Sequence, residues 1–259
     1  MAARPGTAVA GAGEECAAAR AADDLAAVGA EEEAALLLAR LAGDGAEEPG
    51  CSGTAGALAG ARRAYAMGRP HLGVTLARWA FDVAVAQGDS AARAVAPWAF
   101  PPAYEALLGS PRDSVVARLE PALLYAVVMQ ESRFEPRARS RSDALGLMQL
   151  KLGTAADMAR LARDPEPTEA SLFEPERNVR YGARYLAWLL RRFEGSVAAA
   201  LCAYNAGPAR LAVDWRELRA RGGEALVCEL AANPLAQDYA KRVLGFRAAY
   251  RELRPTARP

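Results

Sequence analysis

Histidine is almost missing from this chain: its 259 residues contain one, His71. A Ser-His-Asp triad or a histidine-bearing metal site would rest on that residue alone, in a helical-repeat context, so neither is expected. The four cysteines, at positions 16, 51, 202 and 228, match no zinc spacing. Their even count permits disulfides without requiring them, and the expectation is mostly free, partly buried thiols. No metal and no cofactor are expected. No run approaches the ~18 consecutive apolar residues of a transmembrane helix. The opening stretch from Met1 to Ala10 is followed by Gly11-Ala12-Gly13-Glu14-Glu15. Its apolar part is short, small-sided and broken by glycine, which makes a poor secretory core, and Cys16 after Glu15 lacks a lipidation context. Alternating apolar and polar positions do not recur, so strands are not expected and the fold class is all-α.

Apolar residues make up 52% and charged residues 24%, the balance of a soluble globular chain. The net charge of +1 conceals an asymmetry. Residues 1–60 hold ten acidic and three basic residues, and the remainder holds 29 basic and 21 acidic. The basic excess is mostly arginine, spread along the chain. It suits an anionic polymer, but on charge alone a solvated arginine-rich surface is the simpler reading, and no nucleic-acid partner is expected.

The chain is organised in three stretches. Residues 1–56 read as alanine-rich and acidic, partly helical or disordered, with a helix over 31–42 whose apolar face holds Leu36, Leu37 and Leu41. Residues 57–110 contain a helical hairpin, 57–68 and 72–87, turning at Gly68-Arg69-Pro70. The second helix is expected to pack through Leu72, Leu76, Trp79, Val83 and Ala86. A segment with Pro97, Pro101 and Pro102 follows, and the main boundary is placed near 110. Residues 111–259 form the last domain: helices over 121–132, from Thr154, over 175–193, over 196–205, and around Tyr239 with Val243, Leu244 and Phe246. Pro136 is expected to end the first of them.

Within 121–132, Glu131 stands out. Counting back three, four and seven positions gives Val128, Val127 and Leu124, a stripe at helical spacing, so Glu131 projects from the apolar side. Burial there raises a carboxyl pKa, which suits a general acid. A solvated or salt-bridged glutamate at a helix end is the competing reading.

Beyond Glu131 the sequence carries ordered blocks: Glu131-Ser132-x-x-x-Pro136, Ser140, Gly146-Leu147-Met148-Gln149 and Thr154-Ala155. Then come Asn178-x-x-Tyr181-Gly182-x-x-Tyr185-Leu186 and Ala203-Tyr204-Asn205-Ala206-Gly207-Pro208, with Glu229 ten residues before Tyr239. Over about 115–252 this resembles the catalytic core of the soluble lytic transglycosylases. The resemblance implies a lysozyme-like catalytic domain, preceded by a short helical region similar to the end of that family's superhelix. It also implies cleavage of peptidoglycan between N-acetylmuramic acid and N-acetylglucosamine. Glycosidases generally use two carboxylates. Here Glu135 precedes Pro136 and Asp143 reads as a turn former, leaving Glu131 alone. A single acid suffices if the substrate's acetamido oxygen is the nucleophile and its own 6-hydroxyl closes a 1,6-anhydro ring.

The resemblance also implies groove residues. Ser140 would hydrogen-bond near the acetamido group, against surface solvation as the alternative. Gln149 is favoured over Met148 as a groove residue, because a Met after Gly-Leu is usually core. Tyr204 either faces the acetamido oxygen or Glu131, or is a core aromatic with a satisfied tip. Asn205 binds ligand or caps its helix. Glu229 orients sugar or forms a salt bridge, and Tyr239 is structural or groove-lining. That family usually follows Gly-Leu-Met-Gln with an apolar residue and Met-Pro; here Lys151-Leu152 follow Leu150, replacing an apolar platform with a charge. The expected partners are peptidoglycan strands, with cell-wall or secretion machinery reached through the N-terminal helices. The substrate implies a periplasmic or cell-envelope location. A hydrolysing lysozyme-like enzyme and a non-catalytic wall-binding protein are the other readings.

Overall fold

Among the described residues proline opens four helices, at Pro70, Pro121, Pro175 and Pro234. The first helical position leaves its N–H unpaired anyway, and the ring fixes φ near the helical value. The computed structural model describes residues 17–30, 33–34, 37–38, 53–109, 113–211, 215, 217 and 233–254. Among these no strand forms, as the sequence predicts. The pairing outside helices is two isolated bridges, Arg139 with Leu145 and Leu145 with Leu150. Two compact units result, Met1–Ala103 and Tyr104–Pro259.

The first unit contains α1 (Ala17–Ala27), α2 (Gly53–Ala66), α3 (Pro70–Gln87) and α4 (Asp89–Ala99). Its contacts use small residues: Ala57, Ala61 and Ala64 on α2 and Ala77, Ala80 and Ala84 on α3 are buried. Such side chains let helix axes approach closely. The α3 face is therefore shifted from the expected one: Leu72 and Leu76 are buried, whereas Ala86 is exposed. The expected hairpin extends to a third helix that tolerates Pro97 in its last turn, where a single intrahelical bond is lost. Tyr65 holds α2 to the end of α4 by donating its hydroxyl to the Trp98 carbonyl at 2.6 Å. Of the expected helix over 31–42, residues 33, 34, 37 and 38 are described and helical. Leu36, Leu41, Cys16, Cys51, Cys228 and Glu229 lie outside the described residues.

The second unit starts with α5 (Glu105–Leu108), before the expected boundary near 110. A bond accounts for the difference: Tyr125, in the central helix of this unit, donates to Glu105 at 2.5 Å. That central helix, α6 (Pro121–Ser132), has residues 122 to 129 all buried. Neighbours wrap it on every side, so the apolar stripe read from the sequence is part of a helix apolar all round. It ends three residues earlier than Pro136 demands. Arg133 and Phe134 adopt left-handed φ values of 50° and 66°, and the Arg133 N–H closes on Met129.

After a loop come α7 (Leu152–Ala162), α8 (Pro175–Arg192), α9 (Val197–Ala206) and α10 (Pro234–Leu253). Helix α10 packs along α6 and α9, and α8 packs against α7 and α9. Side chains fix two of the helix starts: Ser196 accepts from the Ala199 N–H, and Asn233 from the N–H groups of Leu235 and Ala236. Cys202 is buried as a thiol in α9, within reach of the Ala236 carbonyl at 3.5 Å. The two long partners α6 and α10 run antiparallel. Glu120, just before α6, pairs with Arg247 and Arg251 near the end of α10, while Tyr125 stacks on Tyr250 with ring centroids 5.0 Å apart. Burial pushes the Glu120 pKa up, but hydrogen bonds and charge from the two arginines bring it below the ordinary value. This pairing sets the register that matters at the other end of α6.

Candidate active site

At that other end stands Glu131. The Tyr239 hydroxyl, from the second turn of α10, donates to Glu131 Oε1 at 2.6 Å. The second carboxyl oxygen has no hydrogen-bond partner among the described residues, and Glu131 keeps some solvent access. Burial pushes its pKa up to about 7, opposed by the Tyr239 hydroxyl. Tyr239 itself is buried, and desolvation together with the neighbouring Glu131 holds its own pKa well above the phenolic value, so it remains a donor. The site is a protonatable acid with one oxygen tethered and one available.

The Leu145–Gln149 loop beside it is held by side chains. Asn178, 0% exposed, donates to the carbonyls of Leu145 and Leu172, both at 2.8 Å, and accepts the Met148 N–H at 2.7 Å. Ser132 donates to the Leu147 carbonyl at 2.8 Å, and Tyr204 to the Met148 carbonyl at 2.8 Å. Two glycines make the packing possible. A Cβ on Gly146, at φ +73°, would lie 2.3 Å from the Leu172 carbonyl oxygen, and one on Gly182 would lie 2.5 Å from the Met148 sulfur.

These bonds reassign several expected groove residues. Met148 is fully buried against Gly182, so its side chain anchors the loop and offers no surface to a sugar. Gln149 turns back at φ 48° and donates to the carbonyls of Ala138 and Gly146, a loop-closing role. Tyr204 spends its hydroxyl proton on Met148, so it does not donate to Glu131, although the carboxylate is close enough to raise its pKa further beyond the effect of burial. Ser140 accepts the N–H groups of Ser142 and Ala144 and closes the polar loop on itself. Asn205 is exposed in the last turn of α9; Gly207, at φ 89°, ends that helix. Glu229 lies outside the described residues. Thus Glu131, Tyr239, Tyr204 and the Met148 carbonyl come together. Ser132 bonds backbone on two elements, the Val128 carbonyl of its own helix and the Leu147 carbonyl of the loop. Asn178 was visible only as part of a motif, its inward placement signalled by Val179 and Tyr181 beside it.

Other carboxylates among the described residues are engaged elsewhere. Glu135 accepts the Arg137 N–H at 2.9 Å, and Asp143 pairs with Arg139 at the surface. Asp113 binds the Val115 and Val116 N–H groups and Arg184; burial pushes its pKa up, and these bonds carry it below the ordinary value.

Tyr239→Phe tests the tether. Removing the donor raises the Glu131 pKa further, by about one pH unit, the worth of a hydrogen bond to a charged group. Carbon-13 NMR titration of the Glu131 carboxyl measures it; an unchanged or lower midpoint would disprove the tether.

A buried acid at the end of a wrapped central helix, tethered by a tyrosine from an antiparallel partner in an all-α frame, defines a lysozyme-like domain. Residues 114–226, within the second unit, match the family model of the Transglycosylase SLT domain. The chain is 32% identical over 127 residues to the soluble lytic murein transglycosylase of Salmonella typhimurium, covering 49% of this chain and 20% of that protein. With the membrane-bound lytic murein transglycosylase C of Yersinia pestis it shares 38% over 98 residues, 34% of this chain and 27% of that one. The chain thus spans about a quarter or less of these relatives' length. The X-ray structure of an inactive mutant of lytic transglycosylase Slt from Pseudomonas aeruginosa matches with a TM-score of 0.68 at 25% identity, covering 93% of this chain and 36% of that one. The 70 kDa soluble lytic transglycosylase of Escherichia coli shares the fold, with a TM-score of 0.59 at 22% identity over 91% of this chain and 45% of its own.

Proposed function

We propose that this protein cleaves the bond between N-acetylmuramic acid and N-acetylglucosamine in peptidoglycan by lytic transglycosylation, leaving 1,6-anhydromuramic ends. The observation that carries this reading is Glu131: a single carboxyl with a pKa near 7, one oxygen tethered by Tyr239 and the other available. Protonated Glu131 gives its proton to the glycosidic oxygen as that bond breaks, and the substrate's acetamido oxygen bonds to the anomeric carbon. Glu131, now a carboxylate steadied by Tyr239, removes the proton of the 6-hydroxyl. That oxygen then displaces the acetamido oxygen and closes the anhydro ring. The proton taken from the 6-hydroxyl restores the acid, so one residue serves both steps. The family match over 114–226 and the lytic murein transglycosylases among its relatives support the substrate class. Such a substrate places the protein at the cell envelope; among the described residues no helix is long and apolar enough to cross a membrane.

Mass spectrometry of digested glycan strands tests the reaction. Anhydro-ended products are expected. Products heavier by one water would replace transglycosylation with hydrolysis, and no released product would sink both.

A further inference from the structure

The site continues along α8 in a direction the reaction does not use. Tyr204, whose hydroxyl holds the Met148 carbonyl, has its ring centroid 5.3 Å from that of Tyr185. Tyr185 stacks on Trp188 at 6.0 Å with their planes 12° apart, and the Arg192 guanidinium lies 5.5 Å from the Trp188 ring centroid. Positions 185, 188 and 192 fall within about 60° of one another around the helix and span about 10 Å of its axis. Leu186 and Leu189 on the same helix are fully buried, but Tyr185 and Trp188 are only half-buried and Arg192 is exposed.

Two features distinguish this strip from core filling. The Tyr185 hydroxyl and the Trp188 indole N–H make no hydrogen bond among the described residues, so polar edges accompany an accessible apolar face. Arg192 forms no ion pair with a described carboxylate. A guanidinium fixed over an indole while its charge stays unpaired is suited to receive a carboxylate in a bidentate fashion.

We propose that Trp188 and Arg192 form an outer subsite that extends the candidate site beyond Tyr185. It takes a saccharide ring of the glycan strand on Trp188 and a carboxylate of the strand's peptide substituent on Arg192. This rests on the peptidoglycan reading above and adds to it a preference for peptide-bearing strands. Continuity with the candidate site through Tyr185 and Tyr204 favours the same strand as the occupant.

The test measures binding by calorimetry in a non-cleaving Glu131→Gln parent. Its two probes are uncross-linked glycan strands that carry peptides and the same strands stripped of peptides by an amidase. Adding Arg192→Ala should weaken peptide-bearing strands about tenfold and leave stripped strands bound as in the parent. Trp188→Ala should weaken both about tenfold. Trp188→Phe, which keeps an aromatic face, should restore most of that loss if the alanine variant is misfolded or weak. Unchanged binding of peptide-bearing strands by Arg192→Ala overturns the carboxylate assignment, and unchanged binding by folded Trp188→Ala overturns the subsite. A parent that binds neither probe, together with a wild type that releases no product, overturns the peptidoglycan reading itself.

Discussion

Glu131→Gln is expected to abolish strand cleavage and, above pH 7, to make the protein more stable than the wild type. The loss of activity follows from the two proton transfers assigned to a single group; without it the rate falls at least ~10²–10⁴-fold. The gain in stability follows from burial. The folded pKa, about 7, lies above the ordinary carboxylate value of 4.5. Stability linked to this group is fully present below the ordinary value and is lost as the pH rises through about 7. Glutamine ionises nowhere, and its amide oxygen still accepts from Tyr239. The stability difference between the two proteins therefore opens between the ordinary and the raised pKa and is constant at higher pH. Its size is on the order of 1–3 kcal/mol, allowing for the solvent that reaches the carboxyl. Thermal unfolding at pH 5 and pH 8 measures it. Equal differences at both pH values would show that Glu131 is not held in its protonated form.

Asn178→Ala is expected to destabilise the second unit by about 3 kcal/mol or more, among the larger effects of a single polar substitution. The Asn178 amide meets the Leu145 and Leu172 carbonyls and the Met148 N–H in a fully buried setting. Alanine leaves the Leu172 carbonyl and the Met148 N–H without a partner, at about 1–3 kcal/mol each, and takes from the Leu145 carbonyl the donor it has beside the Leu150 N–H. Asn178→Asp is the sharper version: it aims a carboxylate oxygen at two carbonyl oxygens and should be worse than alanine. Urea unfolding orders the three proteins. A loss below about 1 kcal/mol for alanine, or an aspartate variant as stable as the wild type, would mean that the loop has another support.

How far the sequence reveals this depends on where each residue's partner lies. Helix α6 was legible because Pro121 and an unbroken apolar run define it locally. The suitability of Glu131 as an acid was legible because burial follows from its spacing to Val128, Val127 and Leu124. The end of that helix falls at Ser132, as expected, but it is made by Arg133 and Phe134 entering the left-handed region without glycine, before Pro136 acts. The roles of Tyr204, Gln149 and Met148 were left open or misplaced. Each is decided by a carbonyl or a glycine distant in sequence, such as Gly182 beneath Met148. In α4, Pro97 reads as a breaker, yet it falls where a short helix loses only one bond.

The loop from Leu145 to Gln149 has a consequence for how such a protein can diverge. Its carbonyls and N–H groups answer to Ser132, Asn178, Tyr204 and the Gln149 amide, residues drawn from three helices and from the loop itself. One inserted or deleted residue would put every one of these partners out of step, so the length of the segment is frozen. Freedom is left to side chains that point outward at its end: Lys151 and Leu152 are exposed and belong to none of the side-chain bonds that hold the frame. Lineages that keep the acid can therefore vary the surface beside this segment by single substitutions, without gaining or losing a residue within it.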